Sequence, residues 1–262
     1  YGEVLPDHSI GYQVGVARAC EELGITLVLL NRVCHTFMAA AGLIDDALES
    51  NVNGVVVRLS MMPNQAMSEM TRLLVKRDLP FYFIREMRDY VDVDFAYADN
   101  YRGGAMVADK LIDRGHERLG VVSLDCSYDY LYYRYRGFVD AIKTRGLSLC
   151  DDAFVLMPTT NEFNNWTMSW RDMGEIAGKR FIERGGPDKV TAVMTSNDEF
   201  AVGVVDAFKA AKIRVPEDVA MVGFDHHPAY HDIGLASVHF DCAACSEKLL
   251  KRFIFKHREG SE

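Results

Sequence analysis

Short apolar runs alternate with helical stretches along most of this 262-residue chain. The runs have the length of single strands and end at turn residues, while the intervening stretches carry apolar residues at helical spacing. The pattern predicts strands over 25–31, 53–59, 80–84, 94–99, 118–124, 190–195 and 219–224. It predicts helices over 12–23, 36–50, 63–77, 101–114, 134–145 and 245–257, and two more that end near 184 and 211.

Strands that alternate with helices are typical of a parallel sheet covered on both faces. The chain has more such strands than one sheet of this kind holds comfortably, and no low-complexity linker divides it. We therefore predict an α/β protein of two doubly wound parallel-sheet lobes with a ligand cleft between them.

Polar side chains follow several predicted strands at the point where each strand ends. Asp99 follows "FAYA", Asn197 with Asp198 follows "AVMTS", Asp225 follows "VAMVGF", and Arg134 lies in the segment after "RLGVVSL". The carboxyl ends of parallel strands form one rim, where ligands bind in open α/β sheets. We expect the side chains of Asp99, Arg134, Asn197 and Asp225 to sit on loops past their strands and to line the cleft.

Each of these residues also has a purely structural explanation. Asn197 and Asp99 are suitable helix N-caps, Asp225 could end its strand in a turn, and Arg134 could be solvated. As a set, they suit a polyhydroxylated ligand, because carboxylates accept from hydroxyls and guanidinium offers a planar fork of donors.

Aromatic side chains could cover the apolar face of a sugar ring. The candidates are Trp166 and Trp170 in an irregular, aromatic-rich span, together with Tyr12 near the amino end. The alternative for each of them is ordinary packing within a lobe.

The charge of the chain argues against nucleic-acid binding by this chain alone. Its formal net charge is −9, whereas phosphate binding rests on clustered Lys and Arg. The six cysteines have no framework spacing, which favours reduced thiols in a cytoplasmic protein. No apolar run approaches membrane-spanning length, so we expect no membrane partner.

Histidines near the end of the last long strand raise the possibility of a metal site. The stretch "DHHPAYHD" places His226, His227 and His231 beside Asp225 and Asp232, a combination that suits zinc. Adjacent histidines in a Pro-containing turn tend to point apart, so we expect no metal and no cofactor. No Ser or Cys has the context of a nucleophile, so we expect no enzymatic activity.

Several motifs occur in a fixed order: "DNYRGGAMVADKLIDRGHERLGVV" (99–122), "RYRGFVDAI" (134–142), "TSNDEFAVGVVDAF" (195–208) and "VPEDVAMVGFD" (215–225). Together they resemble the effector-binding core of the lactose-repressor (LacI/GalR) family of transcription regulators, over about 11–254. The resemblance places ligand contacts on Asp99, Arg134, Asn197 and Asp225. The sequence departs from the family in having His226 and His227 after "GFD".

The resemblance also implies a domain organisation and partners. The amino-terminal lobe would comprise 1–116 and 236–262, and the carboxyl-terminal lobe 117–235. The helix-turn-helix that reads operator DNA in the family is absent from this chain, and we expect it to have been trimmed from a longer protein. A homodimer is expected, and one candidate for its interface is the Met-rich helix near 61–74, where Met67, Met70 and Leu74 fall on one face. The alternative for these side chains is packing within the lobe.

The function implied is that of a ligand-sensing core, in which a small sugar or sugar-like effector alters affinity for operator DNA. The alternative is a periplasmic sugar-binding protein of a transport system, which would have nearly the same fold. Such an exported receptor would need a signal peptide, and unpatterned cysteines would be a liability in an oxidising compartment.

Overall fold

Two parallel β-sheets, one in each of two units, organise the chain. The computed structural model describes residues 7–30, 37–58, 64–84, 95–96, 98–126, 128–150, 154–157, 168–233 and 235–259. Unit 1 comprises Tyr1–Ala98 and Asp241–Glu262, and unit 2 comprises Asp99–Phe240. Parallel strand pairing in both units confirms the predicted α/β class.

The elements follow the predicted alternation of strand and helix. The helices are α1 (Asp7–Leu23), α2 (Phe37–Glu49), α3 (Asn64–Lys76), α4 (Asn100–Asp113), α5 (Asp129–Thr144), α6 (Trp170–Glu183), α7 (Gly186–Lys189), α8 (Asp198–Ala210) and α9 (Cys242–Glu259). The strands are β1 (Val55–Val57), β2 (Phe81–Ile84), β3 (Phe95–Ala96), β4 (Leu119–Leu124), β5 (Phe154–Met157), β6 (Ala192–Thr195), β7 (Ala220–Phe224) and β8 (Ala236–Val238). A 3₁₀ helix covers Pro228–Ile233.

In unit 1, a sheet with the order β1-β2-β3 separates two apolar clusters. Consecutive residues of β2 point to opposite faces: Tyr82 packs with α1 and α9, and Phe83 packs with α2 and α3. The side chains of Met70 and Leu74 are almost fully buried in the second cluster. These two side chains therefore serve the core of unit 1, which is the alternative given for them from sequence, and the side chain of Met67 lies outside the described residues.

In unit 2, the sheet has the order β5-β4-β6-β7-β8 and is covered on both faces. Val121 and Met194 contribute to the cluster under α4 and α5, while Val122 and Val193 contribute to the cluster under α6 and α8. This alternation explains why the central strands are continuously apolar in sequence.

Two glycines let α4 and α5 approach each other closely. A Cβ on Gly104 would lie 1.9 Å from the carbonyl oxygen of Arg134, and one on Gly137 would lie 1.9 Å from that of Tyr101. The two backbones therefore touch where α5 carries Arg134, and this contact fixes the position of that residue.

The two units of the structure differ from the two predicted lobes in where two segments belong. Helix α4, within predicted lobe 1–116, packs on α5 in unit 2, and strand β8, within predicted segment 236–262, pairs with β7 in unit 2. Hydrophobic packing of α4 and the hydrogen bonds of β8 account for the difference.

The apolar run predicted as a strand over 25–31 is the clearest local departure. Residues 25–30 form neither strand nor helix, and Leu29 is 60% exposed. A strand needs a neighbour for its backbone groups, and none pairs with this run within the described residues. Conversely, β5 was not predicted, because its four apolar residues border the irregular span. Among the described residues, no helix is long and apolar enough to cross a membrane.

Candidate functional site

The sheet of unit 2 reverses its direction of growth between β4 and β6. The chain passes from β4 to β5 on one side and then returns to place β6 on the other side of β4. In open α/β sheets, ligands bind outside the carboxyl ends of the strands at such a reversal. Residues that follow β4, β6 and β7 are therefore candidates for a ligand site.

Arg134 lies at this reversal and is 7% exposed. Its Nε donates to Oδ1 of Asn100 at 2.9 Å, and its Nη1 donates to the carbonyl oxygen of Ser196. Its Nη2 lies 3.3 Å from Oδ1 of Asp225 and forms an ion pair with that carboxylate. The guanidinium thus joins α4, the end of β6 and the end of β7.

Aromatic rings surround the same guanidinium. Its central carbon lies 4.3 Å from the centre of the Phe224 ring, 5.3 Å from that of Tyr130 and 5.7 Å from that of Phe240. Phe224 and Phe240 stack with an interplanar angle of 13°. Arginine tolerates such surroundings because its delocalised charge is weakly hydrated and stacks on aromatic faces.

Asp225 begins a turn with an unusual backbone. Its φ is 96° and that of His226 is 49°, both in the left-handed region. The turn is held by Asp198 and Ser237: His227 N donates to Oδ2 of Asp198, and His226 N donates to Oγ of Ser237, both at 2.9 Å. The position of the Asp225 carboxylate therefore depends on the neighbouring strand β8 and on the start of α8.

Asp198 is a buried carboxylate, with 2% of the residue exposed. Burial raises its pKa to about 6, and the nearby charge of Asp225 adds to this rise. Hydrogen bonds from His227 N and from the Ser237 hydroxyl oppose the rise, because they stabilise the charged form.

Two of the four predicted contact residues are helix caps. Oδ1 of Asp99 accepts from Arg102 N at 2.9 Å at the start of α4, and Oδ1 of Asn197 accepts from Phe200 N at 2.8 Å at the start of α8. Arg134 bonds the residue next to each cap, Asn100 and Ser196. The structure thus brings Arg134 and Asp225 into contact. It places Asp99 and Asn197 next to Asn100 and Ser196, the hydrogen-bond partners of Arg134.

Arg134 lies within α5 and is buried, whereas a loop position was expected. That expectation was wrong, because the loop after β4 is short and the residue belongs to the helix that follows it. Removal of this side chain will therefore affect folding, because it leaves buried partners without their hydrogen bonds.

The predicted aromatic residues fall in three different places. Trp166 lies outside the described residues. Trp170 is the first residue of α6 and packs, half-buried, against the core cluster under α6 and α8. Tyr12 belongs to unit 1, where burial raises its pKa and the guanidinium carbon of Arg58 lies 5.4 Å from its ring centre.

Two members of the histidine cluster, His231 and Asp232, have side chains outside the described residues. Among the side chains that the structure describes, no three His, Cys, Asp or Glu are grouped so that they could hold a metal ion. The ring of His226 contacts that of His239, and Nδ1 of His227 accepts from Ala229 N. The cysteines in these ranges are all free thiols, Cys20, Cys126, Cys150, Cys242 and Cys245.

Several residues of the site escaped sequence reasoning. Asn100 and Ser196 adjoin predicted residues, so their positions in "ADN" and "SND" were a usable signal, whereas Asp198 was noted at the strand end beside Asn197 but not predicted as a contact. Ser237 had no such signal, because it reaches the site only through the register that pairs it with Gly223.

A family model matches over half of the chain. The family is described as periplasmic binding protein-like domain, and the match covers residues 108–254. It includes α5 and all five strands of the unit 2 sheet.

Comparisons with individual proteins give a consistent result. The chain is 27% identical over 218 residues to the HTH-type transcriptional repressor PurR of Photobacterium profundum, covering 81% of this chain and 59% of the relative. It is 28% identical over 227 residues to the ribose operon repressor of Escherichia coli, covering 85% of this chain and 61% of the relative. The chain thus spans about three fifths of the length of these relatives.

A solved structure extends the likeness to nearly the whole chain. It is described as the transcriptional regulator CelR-cellobiose complex, and it superposes with a TM-score of 0.79 at 22% identity, covering 97% of this chain and 73% of that one. At this level of identity, the likeness shows the fold.

Proposed function

Because the chain belongs to the periplasmic binding protein-like domain family and resembles LacI-type repressors, we propose that it senses a small sugar or sugar-like effector for a transcriptional regulator. The family predicted from the sequence motifs is confirmed by these matches. The observation that carries the proposal is the contact of the buried Arg134 guanidinium with Asp225 at the sheet reversal.

The chemistry of the site suits a polyhydroxylated ligand. Within the described residues, Arg134 uses three of its five N–H groups, so it retains donors for ligand oxygens. The Asp225 carboxylate can accept from ligand hydroxyls. The buried hydroxyl of Ser196 has no hydrogen-bond partner in the described part of the chain, and a bound sugar could supply one.

The charges of the site favour a neutral ligand. The guanidinium of Arg134 is balanced by Asp225, and Asp198 is mainly ionised at neutral pH because its pKa is about 6. The described residues therefore leave no surplus positive charge for a phosphate or a carboxylate. A neutral sugar exchanges hydrogen bonds with the pair and leaves this balance unchanged.

The link to transcription is part of the same proposal. The matched relatives are named as repressors and are longer than this chain. We infer that operator DNA is read by a helix-turn-helix outside these residues, in the cytoplasm, and that paired heads require a homodimer. A coupling of about 1–3 kcal/mol between effector and DNA is typical of such linkage.

A transport receptor was the alternative from sequence, and the matches do not favour it, because the relatives are named as repressors of transcription. The role proposed for the site is binding, and no step of it requires catalysis.

The experiment is a thermal-shift screen of this chain against a panel of pentoses, hexoses and disaccharides that includes D-ribose and cellobiose. A ligand that binds only the folded state raises the melting temperature, by an amount that grows with its concentration above Kd. Sugars that stabilise the chain should then show saturable calorimetric titration with a ratio of one per chain.

The proposal fails if no sugar of the panel raises the melting temperature at millimolar concentration. The assignment of the sugar site to Arg134 and Asp225 fails if sugar binding persists unchanged after Asp225→Ala in a folded variant. The link to DNA requires the full-length protein, whose operator affinity should change when the bound sugar is added.

A further inference from the structure

The turn after β7 adopts a backbone that side chains disfavour. Asp225 and His226 are consecutive non-glycine residues with φ of 96° and 49°. Such conformations persist only where the surrounding structure holds them in place. Asp225 is also the carboxylate that meets Arg134, so whatever holds the turn also positions the site.

Three consecutive backbone N–H groups hold this turn. Asp225 N donates to the carbonyl oxygen of Val238, His226 N donates to Oγ of Ser237, and His227 N donates to Oδ2 of Asp198, each at 2.9 Å. The last two acceptors are themselves joined, because the Ser237 hydroxyl lies 2.7 Å from Oδ1 of Asp198. The hydroxyl therefore accepts from the turn and donates to the carboxylate.

The fold makes room for this carboxylate. A Cβ on Gly223 would lie 2.2 Å from Oδ1 of Asp198, so β7 can carry only glycine there without displacing the side chain. Ser237 lies opposite Gly223 in the register of β7 and β8, which brings its hydroxyl to the same spot.

The usual structural role of an acidic residue near a helix start does not account for Asp198. The N-cap of α8 is Asn197, whose side chain already accepts from Phe200 N. Asp198 instead turns away from the helix and bonds the turn and β8. Its charge is buried there close to Asp225, with His227 and Tyr230 as the other titratable neighbours.

We propose that Asp198 and Ser237 are positioning residues for effector binding, which hold the 225–227 turn so that the Asp225 carboxylate meets the Arg134 guanidinium. The role rests on the proposed function, because it concerns how Asp225 is presented to the effector. Neither side chain needs to touch the ligand, since each acts through the turn.

The first test measures the turn itself, without any ligand. Hydrogen exchange should be compared between the original chain, Ser237→Ala, Ser237→Thr and Asp198→Ala, with Thr144→Ala as a control that removes a hydroxyl from the surface of α5. Ser237→Ala and Asp198→Ala should speed exchange of the amides of 225–227 by roughly tenfold or more, as expected for a lost hydrogen bond. Ser237→Thr keeps the hydroxyl and should restore the slow exchange. Unchanged exchange at 225–227 in both alanine variants would overturn the proposal.

The second test measures binding, with D-ribose and cellobiose as the probes. Ser237→Ala and Asp198→Ala should weaken the affinity roughly tenfold, Ser237→Thr and Asp198→Asn should keep most of it, and Ser237→Ala should add nothing to Asp225→Ala. Additive losses in that double variant would show that Ser237 does not act through Asp225.

The binding test also separates this inference from the proposed function. If Asp225→Ala weakens sugar binding and neither Ser237→Ala nor Asp198→Ala does, the positioning role fails while the proposed function stands. If Asp225→Ala itself leaves sugar affinity unchanged, the sugar site lies elsewhere and the positioning role fails with it, and if the original chain binds no sugar, the proposed function fails.

Discussion

The guanidinium carbon of Arg134 lies 4.3 Å from the centre of the buried Phe224 ring. Phe224 is the last residue of β7, so the stack ties α5 to the strand whose next residue is Asp225. The stack and the ion pair with Asp225 thus constrain the same guanidinium from two directions. A side chain that carries a positive charge but lacks the planar guanidinium cannot make both the stack with Phe224 and the ion pair with Asp225.

We therefore expect Arg134→Lys to weaken sugar binding even though it keeps the positive charge. An ammonium group cannot bond Asn100 and Ser196 O while it faces Asp225, and it cannot stack on Phe224. Calorimetric titration should show at least a tenfold loss of affinity, and the loss of buried hydrogen bonds should lower stability by about 2 kcal/mol. Arg136→Lys, at an exposed position on the same helix, is the matched control and should change neither quantity. Full affinity in Arg134→Lys would mean that the fork geometry is not used.

A second prediction concerns Asp225→Asn, which removes the charge and keeps the shape. The amide offers one acceptor oxygen in place of two and leaves Arg134 without its counter-charge, so sugar affinity should fall about tenfold. Asp218→Asn removes a carboxylate that pairs with Arg214 on the surface and should leave the affinity as it was. Equal effects of the two substitutions in calorimetry would contradict a special role for Asp225.

The fold and the site differ in how much the sequence could predict. The alternation of strands and helices, and the placement of Asp225 directly after the end of a strand, follow from local hydrophobic patterns, whereas the position of Arg134 inside α5 does not. The contact of Arg134 with Asn100 depends on the close approach of α4 and α5, and that of Ser237 with the turn depends on strand register. Both are properties of packing that no single stretch of sequence contains. Residues 25–30 show the converse, because their apolar pattern is a strand pattern but they lack a paired neighbour within the described residues.

A third prediction follows from the buried carboxylate of Asp198. Its pKa is about 6 in the folded protein, above the usual value of an unfolded aspartate, so the folded state holds the proton more tightly. Its contribution to stability is therefore full below about pH 4 and is lost as the pH rises through about 6. Asp198→Asn has no such titration. Urea unfolding should show the variant gaining about 1 kcal/mol relative to the original chain between about pH 5 and about pH 7.5. A difference between the two proteins that is independent of pH would contradict the raised pKa.

A fourth prediction tests the contact between α4 and α5. Gly104→Ala and Gly137→Ala would each place a Cβ 1.9 Å from a backbone oxygen of the facing helix. Because backbone cannot yield as a side chain can, each should lower stability by about 2 kcal/mol or more. Gly42→Ala, in α2 with no atom within 4 Å of the added Cβ, should be neutral or stabilising. The melting temperatures of the three variants measure this difference. Equal values would show that α4 and α5 can move apart without a loss of stability.

The last prediction concerns the charge of the effector. The described residues of the site carry one guanidinium and the carboxylates of Asp225 and Asp198, so a ligand that brings its own negative charge meets net repulsion. Even near a solvated surface, one unpaired like charge at close range opposes binding by about 1 kcal/mol or more. D-ribose should therefore bind several-fold more tightly than D-ribose 5-phosphate. The preference should shrink in Asp225→Asn, because that variant removes one of the two negative charges. Competition calorimetry at low salt measures both ratios, since screening at high salt would hide the effect. Tighter binding of D-ribose 5-phosphate by the original chain would contradict the preference for a neutral sugar. It would show that a cationic group outside the described site takes part in binding.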